Sequence, residues 1–158
     1  MNKAVLDTTI IVKGALTPYK SLPKEIYSRE LGTHQKCRLV LNRLDESSVE
    51  VFIPKVCVIE TAAVLRRLAN RDLAAKLSRG LMRAYDLVGE PDIFESAWRV
   101  ALDRGSTGFD TYFLALARMK DALLFTDDNG MSHHAREYGV NSILIRELQI
   151  DELKALFE

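Results

Sequence analysis

Residues 105–130 read GSTGFDTYFLALARMKDALLFTDDNG, and this stretch decides the fold. A glycine-bearing turn leads to Asp110 and an apolar helical run. Ala122-Leu123-Leu124-Phe125-Thr126 follows, and then the pair Asp127-Asp128. Counting from Asp110, Phe113, Leu114 and Ala117 fall at i+3, i+4 and i+7, so the helical period predicts Asp110 on the core-facing stripe. Burying a carboxylate without a partner is costly. Either Asp110 caps the helix, a position Asp fills well, or it belongs to a site.

Further out, two segments repeat the theme. Lys3-Ala4-Val5-Leu6 is an apolar run too brief for a helix, and Asp7-Thr8-Thr9 separates it from Ile10-Ile11-Val12. That is the pattern of a buried strand whose end carries chemistry, with an Asx or Ser/Thr turn as the plainer alternative. Val49 to Ile53 reads as a strand ending at Pro54, with a helix from there to about Asn70. Between Lys55 and Ala69 the only acid is Glu60, set among Val56, Val58, Ile59, Ala63 and Val64. A solvated glutamate near a helix start is inexpensive. Even so, a lone carboxylate in an apolar helix start matches the pattern at Asp110. Arg66, Arg67 and Arg71 read as a solvated face, with phosphate contact as the lesser alternative.

The remaining chain supplies the frame. Residues 14–32 contain Pro18 and Pro23 and no sustained period, so they are expected to be a long loop or insertion within one domain spanning 1–158. Thr33 to Leu44 is a helix with Cys37, Val40, Leu41 and Leu44 on one stripe. Asp72 is the expected N-cap of a helix carrying Leu73, Leu77 and Leu81, and Asp86 to Gly89 is a short strand. Pro91-Asp92 opens an amphipathic helix in which Trp98 is read as core rather than as a base-stacking platform. A helix to Tyr138, a strand over Asn141 to Ile145 and a helix from Leu148 to Phe157 close the chain. His133 and His134 are neighbours facing different directions, and both are assigned to the surface.

Composition narrows the class without choosing a function. The 22 basic and 22 acidic residues cancel, so no global basic field announces nucleic acid and none rules it out. Cys37 and Cys57 lack metal-ligand spacing and read as reduced core thiols of a cytoplasmic protein. No signal peptide and no apolar run of membrane-spanning length is found.

Alternating strands and helices predict an α/β domain with a mostly parallel central sheet flanked by helices. In such sheets the strand carboxyl ends and the following helix starts share one edge. Asp7, Asp127 and Asp128 follow strands, while Glu60 and Asp110 sit near helix starts. The acids are therefore expected on one rim. Clustered carboxylates repel unless they share a cation. Oxygen ligands without His or Cys favour Mg2+ or Mn2+ over zinc. Such a site suits a metal-dependent phosphodiesterase or phosphatase.

Four motifs carry a family resemblance: VLDTTIIV around Asp7, IPKVCVIETAAVLRR around Glu60, GFDTYFLALA around Asp110 and LLFTDDNGM before Asp128. In their order and spacing the chain resembles PIN-domain proteins, close to the VapC-type toxins of prokaryotes. The resemblance implies a single PIN-like α/β domain and a divalent-metal endoribonuclease acting on single-stranded RNA. Asp7, Glu60, Asp110 and Asp128 then match the family's catalytic and metal-binding acids. Thr9 and Thr126 match its supporting hydroxyls, with Asp127 in support through a held water. A cognate antitoxin and a homodimer are the implied partners. A haloacid-dehalogenase-type phosphatase is disfavoured because Thr9 stands where that family needs its second Asp. A non-catalytic RNA-binding or assembly module is the other rival.

For the aspartate pair, strand geometry sends adjacent side chains to opposite sides. The resemblance assigns Asp128 to the metal and leaves Asp127 to face solvent or cap the next helix.

Overall fold

Apolar runs of four or five residues form the central strands, because strands covered on both faces need no polar alternation. The computed structural model describes residues 1–106 and 108–158. Strand β1 (Lys3–Leu6) lies mid-sheet, with Val5 registered on Phe52 of β2 (Glu50–Pro54) and on Leu124 of β4 (Leu123–Thr126). The edges are β3 (Asp86–Val88) and β5 (Ser142–Leu144), giving the order β3-β2-β1-β4-β5 with all pairs parallel. The chain builds outward from β1 to β3, then crosses back to start β4 on the other side of β1. That reversal opens a crevice between the carboxyl ends of β1 and β4, the usual place for a site in such sheets.

The helices are α1 (Thr8–Ala15), α2 (Lys24–Glu46), α3 (Lys55–Leu68), α4 (Arg71–Ala84), α5 (Glu90–Arg104), α6 (Asp110–Lys120), α7 (Asn129–Tyr138) and α8 (Ile150–Ala155). A 3-10 turn over Ile145–Glu147 follows β5. Helix α6 packs on β1 and β2 and is covered by α5 and α7, so Phe113, Leu114, Ala115, Leu116 and Ala117 are all buried. Helix α1 approaches α2 closely at Gly14, where a Cβ would stand 2.5 Å from Leu41 Cδ1. Both cysteines are free and buried, and burial pushes each thiol up to about 12. Among the described residues no helix is long and apolar enough to cross a membrane.

Several sequence expectations need correction. The loop predicted over residues 14–32 shrinks to the segment between Ala15 and Lys24, because α2 begins nine residues before Thr33. Its first turns are largely solvent-exposed and polar, so the apolar period that marks a helix is missing there. Asn70, not Asp72, caps α4, its side chain accepting a hydrogen bond from Leu73 N at 2.8 Å. Replacing Asn70 with Ala is expected to cost about 1 kcal/mol, readable as a lower urea midpoint with an unchanged slope. An Asp72→Ala variant should move the midpoint less, since Asp72 only adds charge to the first turn.

Trp98 is not core. Helix α5 buries Ile93, Ala97 and Val100, whereas Phe94, Trp98 and Leu102 stand on the outer side with Trp98 55% exposed. Two adjacent apolar stripes share the same period, and period alone does not say which one faces inward.

Candidate acidic site at the carboxyl edge of the sheet

Asp7 leaves β1 in extended conformation and stands at the N-cap of α1, yet its side chain makes no capping bond. It is 4% exposed, and its Oδ2 accepts two hydroxyl hydrogen bonds: from Thr9 Oγ1 at 2.5 Å and from Thr126 Oγ1 at 2.8 Å. Each hydroxyl is itself held by a main-chain donor. Asp127 N donates to Thr9 Oγ1 and Asp128 N to Thr126 Oγ1, both at 3.0 Å. The hydroxyl proton has then only one direction to go, so the end of β4 orients the carboxylate at the end of β1. Burial raises the Asp7 pKa; the hydroxyls oppose that rise and the Asp128 charge adds to it.

Glu60 stands on the second turn of α3, half-buried, with Oε2 accepting from Thr8 Oγ1 at 2.7 Å. Burial raises its pKa, Thr8 opposes and the Asp7 charge adds. Asp110 is the first residue of α6 and is solvent-exposed, not core-facing as the helical period suggested. The N-cap is Phe109, so Asp110 does not cap the helix either. Partial desolvation and then the charges of Asp7, Asp128 and Glu60 push its pKa up to about 6, with His134 opposing. The four acids come from four separate segments that all reach the carboxyl edge of the sheet.

Asp128 is exposed and caps α7, its Oδ1 accepting from Met131 N at 2.8 Å. Asp127 points the other way, as strand geometry requires, but its destination corrects the sequence reading. It neither faces solvent nor caps α7. Its side chain is fully buried between two cations. Arg146 Nε donates to Oδ1 and Nη2 to Oδ2, both at 2.9 Å, and Nη2 also reaches the Asp127 carbonyl at 2.8 Å. Lys13 Nζ lies 2.5 Å from Oδ2 and 3.0 Å from Glu30 Oε2. Burial alone would raise the Asp127 pKa; Arg146 and Lys13 hold it below the ordinary carboxylate value instead.

Thr8, Lys13, Glu30 and Arg146 were not singled out from the sequence. Thr8 could have been, since it sits beside Asp7 in the same polar trio. The others carried no local signal, because Lys13 and Asp127 are 114 residues apart.

The donor set is all oxygen: four carboxylates with three threonine hydroxyls behind them. Hard divalent cations take such sets. Among the described residues no three acid, His or Cys side chains already converge closely enough to hold an ion. The crowding of charge at Asp110 is what a cation would relieve.

The PIN domain family model matches residues 4–137. No curated protein matches the sequence. Among the solved structures that share the fold are the following three. The sarcin-ricin loop cleaving toxin VapC20 of Mycobacterium tuberculosis is 15% identical with a TM-score of 0.62, covering 82% of this chain and 93% of its own. FitAcB from Neisseria gonorrhoeae is 19% identical at 0.54, covering 92% and 99%. VapBC2 from Rickettsia felis, bound to a DNA fragment from its promoter, is 10% identical at 0.53, covering 89% and 97%.

Proposed function

The chain belongs to the PIN-domain family, and from that premise we propose that it is a divalent-metal-dependent endoribonuclease that hydrolyses single-stranded RNA phosphodiesters. The observation that carries this reading is the placement of Asp7, Glu60, Asp110 and Asp128, from four separate segments, at the carboxyl edge of one parallel sheet, with Thr8 bonded to Glu60 and Thr126 to Asp7 across that edge. Four acids drawn to one rim destabilise each other unless a cation is bound there.

Asp7, Glu60, Asp110 and Asp128 are the residues to hold Mg2+ or Mn2+. Bound there, such a cation would supply a water of lowered pKa and would offset the charge developing on the leaving oxygen. The protein's own contribution is orientation. Thr9 and Thr126 fix Asp7, Thr8 fixes Glu60, and the cap at α7 holds Asp128. By resemblance the products carry 5′-phosphate and 3′-hydroxyl ends.

Solved relatives of the VapBC and FitAB type support reading the chain as the toxin of a toxin–antitoxin pair. An antitoxin protein and a second copy of the chain are its proposed partners. The exposed row of Phe94, Trp98 and Leu102 supports a protein partner of some kind, because apolar rows of this size are uncommon on free surfaces.

The test is cleavage of a labelled single-stranded RNA by the purified chain with Mn2+, repeated in chelator. Internal cuts that vanish on chelation are expected. Release of phosphate from small monoesters instead would mean a phosphatase. RNA binding without cleavage under any metal would mean a scaffold, and either result overturns the reading.

A further inference from the structure

Two cations, Lys13 and Arg146, stand beside the acidic rim, and among the described residues neither forms an ion pair with any of its four acids. Both are spent on Asp127, and Lys13 also on Glu30. Asp127, Lys13, Glu30 and Arg146 form a linked set of charges built from α1, α2, the end of β4 and the 3-10 turn, with exposed Arg29 pairing with Glu30 at its outer end. We propose that Asp127 is a positioning residue that sequesters Lys13, keeping its ammonium from occupying the place of the divalent ion among Asp7, Asp110, Asp128 and Glu60. The inference rests on the metal site proposed above.

Geometry makes Lys13 the relevant competitor. Thr9 and Lys13 are four apart on α1 and share one face, and helical side chains lean toward the helix N-terminus. Lys13 therefore reaches back over Thr9, whose hydroxyl is 2.5 Å from Asp7 Oδ2 and accepts the amide of Asp127. A lysine released from Asp127 would keep Glu30 as one partner and could turn its freed donors back past Thr9 toward the Asp7 carboxylate. Four flexible methylenes allow the swing. Arg146 is held differently, through two side-chain bonds and a main-chain carbonyl, and keeps the last of these when the Asp127 charge is removed.

Asp127→Asn leaves a polar side chain of the same shape and removes the buried charge that holds Lys13, leaving Glu30 as its remaining ionic partner. Mn2+ affinity, measured by calorimetry on protein shown to be folded by circular dichroism, should fall about 10- to 100-fold, the range for supporting groups at metal sites. The discriminating variant adds Lys13→Met, which removes the competitor. In the double variant Mn2+ affinity should return to within about threefold of wild type, a non-additivity that a merely structural role cannot produce.

Wild-type affinity in Asp127→Asn, or a double variant as weak as the single, would overturn the inference. If Asp127→Asn does not fold, Asp127→Ser removes the same charge from Lys13 while keeping a hydroxyl for Arg146. It should weaken Mn2+ binding, with reversal by Lys13→Met, and an unchanged affinity there overturns the inference as well. A wild-type protein that binds no Mn2+ removes the metal site itself, an outcome distinct from failure of the variants.

Discussion

Asp7→Asn is expected to abolish RNA cleavage while leaving the metal-free protein as stable as wild type or more so. The loss should be on the order of 10³-fold, equivalent to about 4 kcal/mol of transition-state stabilisation. Two features of the site separate these effects. First, Asp7 is the most buried of the four acids, and burial raises its pKa, so its charge is a burden to the metal-free fold. Second, the oxygen of an asparagine amide can still accept the hydroxyls of Thr9 and Thr126, so the local network survives. Thermal melts in chelator and in Mn2+ check both halves. Wild type should gain stability from the ion by mass action, and Asp7→Asn should gain little. A large fall in the midpoint of the variant in chelator would mean that Asp7 holds the fold together instead.

The second large effect is a pH dependence of the metal-free protein. Asp110 has its pKa pushed from 3.8 in an unfolded chain up to about 6 in the folded one. A carboxyl shifted in this direction favours the fold fully below about pH 4 and loses that contribution as pH rises through about 6. Unscreened, the shift would be worth about 3 kcal/mol, but Asp110 is exposed and water screens it, so about 1 kcal/mol is expected. Somewhat under half of that falls between pH 5 and pH 7.5, which corresponds to a melting point about 1–2 °C lower at pH 7.5 than at pH 5 in chelator. Asp7 and Glu60 are raised as well and act in the same direction. Asp127 and Glu30 are lowered, and their contribution is already complete above pH 5, outside the window. Asp110→Asn should flatten the slope, and Mn2+ should erase it at pH 7.5 in wild type. A melting point that rises steadily from pH 5 to 7.5 in chelator would show that the acids do not repel one another as described.

Much of this protein was legible in its residues alone. Apolar runs of four or five residues ending in acids, and single carboxylates in apolar helix starts, are local signals, and local signals survive without coordinates. They led to the parallel sheet and to Asp7, Glu60, Asp110 and Asp128 as the rim. The threonine partners of Asp7 were legible in part, as neighbours of acids in DTT and TDD.

The readings that failed depended on which of two faces turns inward, on where a stripe meets solvent, or on what crosses the sheet. Trp98 sits on one of two periodic stripes, and periodicity gives the angle between residues without the direction of the core. Asp110 shares the buried stripe of Phe113, Leu114 and Ala117 but stands at the first position of α6, where that stripe meets solvent. The first turns of α2 are polar and exposed, so they left no period to detect. The fate of Asp127 was decided by Lys13 and Arg146, which reach it from α1 and from the turn after β5. Charges separated by that much chain meet only because β4 lies between β1 and β5, and that adjacency is a property of the strand order. A carboxylate beside a metal site and a carboxylate buried in an ion pair are the same letter in sequence. Only the tertiary structure supplies the opposite charge that tells them apart.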